Sequence, residues 1–289
     1  MIYSDRDRSF RDILYAEDCV KESKYPNAEI HLTEWNSSPS PRDLVHDTAF
    51  MAPFIIENNL RAMSHADTLG FWTFTDVFEE NAAGLSVFHG GFGLMNYQGI
   101  KKPSYHAYAF LHRLKGDIIA QGEGYIAADD GRTLRALLWN YCHYTQEMQS
   151  GKDGVISHYN RYNGVFEEKS VSRELKIELP RGTYKITRFD LDRDNGSAFD
   201  LWLKNGAIES LTQEEIKWLK DQSQPESSIC IRELNEFDEK ITLAPHGVCL
   251  IEFQKSENVN SDKKNSARAI KSLRYCPSWR STNLPFWTG

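Results

Sequence analysis

Apolar and polar positions alternate through Ala28-Glu29-Ile30-His31-Leu32-Thr33-Glu34-Trp35-Asn36. Pro26-Asn27 bounds the run upstream and Ser37-Ser38-Pro39-Ser40-Pro41 bounds it downstream. The pattern predicts a buried strand that ends in a polar turn, with Glu34 at its C-terminal tip. Helical spacing lies on both sides. Phe10, Ile13, Leu14 and Val20 mark a helix over 10–23, and Phe50, Phe54, Ile55 and Met63 give an apolar face to a long helix over 47–67. Residues 70–75 read as a second strand, and 76–99 as a glycine-rich loop with acidic residues. Pro103 opens a helix to residue 114, at a position where a missing N–H costs little. This alternation of strand and helix is the rhythm of a parallel α/β unit.

After Lys115-Gly116 the texture changes. Short strands are expected over 134–141, 174–179, 184–191 and 248–253, with Asp129-Asp130-Gly131 and Asp194-Asn195-Gly196 as turns. That is the pattern of an antiparallel β-sandwich. One helix interrupts it at 213–222, opened by the Thr212/Glu215 capping box, so the insertion spans 212–222. The expected organisation is therefore a unit over 1–115, a second over 116–254, and a tail over 255–289. Within that tail, 258–264 reads as a linker, and the aromatic stretch from Trp279 to Trp287 carries no periodicity. No internal repeat is visible.

Composition narrows the function classes. The chain has 289 residues, 40% hydrophobic and 26% charged, enough to bury a substantial core. The net charge of −7 comes without a basic stripe, which argues against nucleic acid as a partner. An aromatic share of 12%, with seven Trp, suits stacking on sugar rings as well as core packing. The five cysteines are scattered and form no CxxC pair, so neither a disulfide framework nor a structural zinc site is expected. No apolar run reaches about 20 residues, so no membrane span is expected. The polar N-terminus does not read as a signal peptide, and a cytoplasmic location is the expectation.

A carboxylate at the tip of a buried strand is where barrel enzymes keep their chemistry. Around Glu34 four segments follow in order: Thr33-Glu34-Trp35-Asn36-Ser37-Ser38, His46-Asp47-Thr48, Phe71-Trp72-Thr73-Phe74-Thr75-Asp76-Val77-Phe78-Glu79-Glu80, and Phe88-His89-Gly90-Gly91-Phe92-Gly93-Leu94 with Lys102-Pro103-Ser104-Tyr105. In this order and spacing the chain resembles glycoside hydrolase family 39, whose best-known members are β-xylosidases. The resemblance runs from about residue 10 to about residue 253.

That resemblance implies a (β/α)8 barrel with an appended β-sandwich. The fold expected here is its C-terminal part: the last two barrel strands, seven and eight, with their helices, then the antiparallel sandwich. It also implies a retaining enzyme acting on β-xylosides such as xylo-oligosaccharides, with no cofactor and no metal. Glu34 takes the nucleophile's position at the end of the seventh strand. Trp72, on the eighth, floors the sugar subsite, and Glu79 and Glu80 hydrogen-bond sugar hydroxyls. His89 joins the substrate-binding candidates. Pro39 stands where many members have an aromatic residue.

Physical chemistry runs beside the resemblance. Retaining hydrolysis needs two carboxyl groups about 5–5.5 Å apart, one ionised to attack and one protonated to release the leaving group. Trp72 offers a flat apolar face to a pyranose, and Asn36, beside Glu34, can orient donors. Glu79 and Glu80 are adjacent and point in different directions, so one of them is expected to reach the ligand.

The acid/base half is not legible. Family members carry it in an Asn-Glu-Pro motif upstream of the nucleophile, yet 33 residues precede Glu34 here and no Asn-Glu-Pro occurs. Asn235-Glu236 follows the nucleophile and reads as a turn between strands. A full barrel takes about 250 residues, so the expectation is a catalytically incomplete polypeptide. Its open strand edges would dimerise it or take a complementary N-terminal barrel fragment. The other reading is a non-catalytic carbohydrate-binding or sensory module that keeps the sugar subsite.

Three further signals carry less. His89-Gly90-Gly91 resembles an esterase oxyanion loop but lacks its Gly-x-Ser-x-Gly partner. Gly122-Glu123-Gly124-Tyr125-Ile126-Ala127 reads as a turn rather than a dinucleotide fingerprint. His46-Asp47 reads as a helix cap, and strict alternation puts His31 and Glu34 on opposite faces of their strand, unable to share a metal.

Overall fold

The computed structural model describes residues 5–77, 84–151 and 156–256, and the backbone of 269–275. The chain begins with α1 (Arg8–Lys21), which buries Ile13 and leaves most of its surface to solvent. Its own i,i+4 pairs, Arg8–Asp12 and Lys21–Glu17, support it. Charged contacts fasten it to the next helix: Arg6–Glu57 and Arg61–Asp7, both 2.8 Å, with the Arg61 guanidinium over Phe10.

β1 (His31–Trp35) and β2 (Thr68–Phe71) pair in parallel across α2 (Met51–Ala62), a β–α–β unit. The long helix expected over 47–67 is shorter. Residues Leu44–Asp47 form a 3-10 turn whose Val45 carbonyl accepts from the Thr48 amide and hydroxyl, and the α-helix starts only at Met51. It ends at Ala62, whose carbonyl takes the His65 amide in a turn. The expectation of a buried β1 is also corrected. Thr33 and Glu34 are exposed and Leu32 and Trp35 half-buried, because among the described residues β1 pairs with β2 alone and only one face meets a helix. On that face Trp35 packs on Phe54 and Phe71, each with ring centres 5.7 Å away. β2 is likewise shorter than 70–75. α3 (Pro103–Arg113) lies against α2 and closes this layer.

The remainder is an antiparallel sheet of seven strands in the order β3 (Asp117–Gly122), β4 (Tyr125–Asp129), β5 (Thr133–Trp139), β8 (Val248–Lys255), β6 (Val171–Leu191) and β7 (Glu226–Leu243), with β9 (Ala269–Tyr275) also on β6. The expected strands over 174–179 and 184–191 are one strand. Pro180-Arg181-Gly182 reads as a break, yet the chain passes it as a register irregularity between Glu178 and Gly182 and continues. There the sheet folds over itself. Leu175 and Ile177 of one half share a core with Ile186, Ile251 and Phe253 of the other, and Phe237 meets Phe253 edge-on at 4.8 Å. Asn235-Glu236 is not a turn but lies inside β7, where Glu236 pairs with Glu178 in register and with the Lys176 ammonium. Three short helices decorate the sheet: α4 (Gln146–Gln149), α5 (Ala198–Lys204) and α6 (Gln213–Gln222). The last carries the expected Thr212/Glu215 capping box. Glu123-Gly124 turns β3 into β4, with Gly124 at φ +71°, so the glycine-rich stretch is a hairpin.

A second core joins the layers. Phe50, Ile55 and Phe110 from the helices share it with Leu137, Trp139 and Leu250 from the sheet and with Phe199 and Trp202 from α5. Its centre is Phe50, stacked on Phe166 at 4.6 Å and packed edge-on to His246 at 5.8 Å. His246 is fully buried at φ +60°. Burial pushes its imidazole down to about 3. Its folded-state affinity for a proton is thus depressed, so its contribution to stability is complete above about pH 6.5 and shrinks as pH falls towards 3. His106, pushed down to about 4 by burial, acts in the same direction. Urea midpoints are expected to drop between pH 7 and 5, by about 2 kcal/mol of stability from His246 alone. His246→Asn, which tolerates the left-handed backbone, should flatten that dependence while lowering stability throughout.

Candidate functional site at the end of the strand pair

The C-terminal ends of β1 and β2 place the candidate residues. Between Leu32 and Trp35 the register of the pair slips: three steps along β1 match two along β2. Glu34 sits inside this bulge, and bulges re-aim side chains. The slip also breaks the regular alternation from which His31 and Glu34 were expected on opposite faces. His31 pairs with Thr68, Nδ1 2.9 Å from the threonine hydroxyl, and is exposed like Glu34, whereas Leu32 and Trp35 are both half-buried. Strict alternation therefore does not hold from His31 to Glu34. Among the described residues there is nevertheless no cluster of three His, Cys, Asp or Glu able to hold a metal ion. Glu34 is exposed, and no ion pair or hydrogen bond engages its carboxylate among the described residues.

Trp72 is brought to the same end by the bond from its amide to the Trp35 carbonyl, 3.0 Å. The Trp72–Thr73 peptide is cis. The Asn36 side chain fastens the two strand ends: its amide donates to the Trp72 carbonyl and, at 3.4 Å, to the Phe92 carbonyl, and its oxygen accepts from the Ser37 amide at 2.7 Å. Both donors of that amide are thus committed to backbone. Close approach of the strands requires Gly70, where a Cβ would lie 2.6 Å from the Thr33 carbonyl oxygen. Pro39 is exposed in the loop that follows.

The loop after Leu85 returns beneath these ends. Thr73 and Phe92 exchange backbone contact through the Thr73 amide, and Leu94 donates back to the Thr73 carbonyl. His89 is buried, and its Nδ1–H donates to the Ser86 carbonyl at 3.0 Å. It thus packs within its own loop, while Glu34, Asn36 and Trp72 gather at the strand ends. Glu79 and Glu80 lie outside the described residues.

Beneath the loop is a feature that sequence reading missed. Lys102, fully buried, lies 2.6 Å from Asp47 and 2.7 Å from Asp76, and its ammonium also donates to the Gly91 carbonyl. Asp47 binds Arg161 at 2.7 Å and accepts from the Gly90 amide. Arg161 donates to the Leu44 and Phe88 carbonyls and lies over the Phe199 ring. Two carboxylates and two cations form a neutral, desolvated network. Burial alone would raise the Asp47 carboxyl, but Lys102 and Arg161 override it and hold it well below the usual carboxylate range. For Lys102, burial works downwards and is outweighed by Asp47 and Asp76, so the ammonium stays charged. The expectation that His46-Asp47 caps a helix is therefore corrected: Asp47 is an internal counterion, and His46 Nδ1–H donates to the Gly90 carbonyl. Asp47, Asp76 and Lys102 stood in recognisable segments. Arg161, distant in sequence, had no such signal.

A parallel strand pair backed by helices and followed by an antiparallel sheet defines an α/β plus β protein. The family model of glycosyl hydrolases family 39 matches residues 13–234, and the chain belongs to that family. A β-xylosidase of Geobacillus stearothermophilus is 37% identical over 122 residues, 42% of this chain and 24% of that protein. A β-xylosidase of Caldicellulosiruptor saccharolyticus is 32% identical over 237 residues, 80% of this chain and 45% of that protein. The solved GH39 enzyme of Xanthomonas axonopodis pv. citri superposes with a TM-score of 0.76 at 26% identity, covering 86% of this chain and 49% of that one. The chain thus spans less than half the length of the curated relatives it matches. Among the described residues no helix is long and apolar enough to cross a membrane.

Proposed function

We propose that this chain carries the nucleophile half of a retaining glycoside hydrolase acting on β-xylosides such as xylo-oligosaccharides. β1 and β2 are read as strands seven and eight of a (β/α)8 barrel within residues 1–115, with the folded sheet of 116–254 as the appended sandwich and 255–289 as a tail. The observation that carries this reading is Glu34, exposed in the bulge at the end of β1 and without an ion-pair or hydrogen-bond partner among the described residues, at the strand end where the backbone bonds also hold Trp72. There it is free to attack an anomeric carbon as a carboxylate. Trp72 floors the sugar, with Glu79 or Glu80 taking its hydroxyls. Asn36, its amide donors spent on backbone carbonyls, is a positioning residue, and His89 shapes the loop from within.

The second carboxyl of a retaining pair belongs about 5–5.5 Å from Glu34. We assign it to a complementary barrel segment that adds strands to the open side of the β1–β2 pair. Without such an acid a poor alkoxide leaving group departs slowly, so the isolated chain should not turn over xylobiose, whereas glycosylation by an activated aryl xyloside should persist. The test is mass spectrometry after incubation with a 2-fluoro-xyloside carrying a good leaving group. A covalent pentosyl adduct on the Glu34 peptide is expected. Absence of label both in the isolated chain and in the presence of a complementary segment would sink the reading.

A further inference from the structure

A groove of about 330 Å³ opens where the C-terminal end of α3 overhangs the sheet, and it shares no lining residue with the Glu34 strand end. Its floor is two rows across three strands: Thr133, Gln254 and Lys185 in one, Arg135, Glu252 and Thr187 in the next. These residues alternate with Leu134, Phe253 and Ile186, which point into the folded core, so the groove lies on the opposite, outer face. Arg113 and Lys115 reach over it from the end of α3.

Charge is what sets this groove apart. Four cationic side chains, Arg113, Lys115, Arg135 and Lys185, line it against one carboxylate, Glu252, in a protein whose net charge is −7. Glu252 is shared by both guanidinium groups, 3.1 Å from Arg113 and 3.4 Å from Arg135, and Asp130 at the margin takes a further Arg135 contact at 2.7 Å. Lys115 and Lys185 have no ion-pair partner among the described residues. Cations near a helix C-terminus ordinarily answer the helix dipole, which accounts for Arg113 and Lys115. It does not account for Arg135 and Lys185, which come from β5 and β6. Two pre-fixed guanidinium forks, two free ammonium groups and the Thr133 and Thr187 hydroxyls make a set of donors for oxygen anions.

We propose that this groove binds a multivalent oxyanion, through Lys115 and Lys185 as counterions, with Arg113 and Arg135 braced by Glu252. The chemistry is shared by phosphate and by the carboxylates of an acidic saccharide. Titration calorimetry on the whole chain with inorganic pyrophosphate, with a xylo-oligosaccharide bearing two glucuronate substituents and with the neutral xylo-oligosaccharide separates the two sources. At least one charged probe is expected to bind saturably and the neutral one not to bind at this groove. Lys115→Gln/Lys185→Gln should weaken the charged probe by about tenfold or more, with the thermal midpoint unchanged. Raising salt from about 50 to about 300 mM should weaken it as well. Saturation by pyrophosphate alone, or by the acidic saccharide alone, supports the proposal and names the source. Absence of saturable binding by either, or equal affinity in the double variant, overturns it. A Glu34→Ala variant should bind the charged probe as the parent does, so failure of the glycosidase reading leaves this test intact.

Discussion

Glu34→Ala is expected to remove activity on an activated aryl β-xyloside, when the chain is assembled with a complementary barrel segment, by about 10⁴-fold or more, equivalent to about 5 kcal/mol of barrel-site transition-state stabilisation. A nucleophile differs from a merely nearby carboxylate in how its loss is repaired. Alanine at position 34 leaves a space on the attacking face, and azide entering it should restore turnover and yield a glycosyl azide of inverted configuration. The strand-end geometry supplies the reason: Glu34 is exposed in a bulge, so truncation leaves the Trp35–Trp72 and Asn36–Trp72 bonds in place. Circular dichroism and urea midpoints of the variant should match the parent. Turnover by Glu34→Ala within threefold of the parent, in either case without azide dependence, would remove Glu34 from the reaction.

The second large effect concerns stability. Lys102→Met should cost about 3–5 kcal/mol, because it leaves Asp47 and Asp76 buried with one cation between them. Arg161 still serves Asp47, so Asp76 is the orphan, and Lys102→Met/Asp76→Asn should recover part of the loss. Urea denaturation of the four members of this cycle checks the coupling. Since the Asp47 carboxyl is held below its ordinary value, its contribution is complete above about pH 4 and is lost as pH falls through that range. Equal penalties for the single and the double variant would show that the two carboxylates are not held through Lys102.

Much of this was written locally in the chain. The helix at 213–222 begins where Thr212 and Glu215 say it should, because a capping box is satisfied within four residues. Glu34 near the end of a strand was legible from the polar turn that follows it, whereas its pairing with Trp72 rested on the family resemblance and not on alternation. What escaped depends on partners remote in sequence. β7 was missed because its first half is exposed: Ile229 and Ile231 alternate there but face solvent among Glu226, Arg232 and Glu233, with no core to mark them. β6 was cut in two because Pro180 and Gly182 ordinarily end strands, whereas here they mark the bend where the sheet doubles back. The bulge at Thr33-Glu34 exists only in the register with β2, so no reading of β1 by itself finds it. The commitment of Asn36 to Trp72 and Phe92 is hidden for the same reason.

The guanidinium of Arg161 ties residues on both sides of position 116: it belongs to the sheet half, yet it neutralises Asp47 and clasps the Phe88 carbonyl from the helical half. Recombination between relatives is therefore constrained. A chimera joined near 116 inherits its arginine from one parent and its aspartate and loop from the other, and only parents that agree on this clasp should yield folded hybrids.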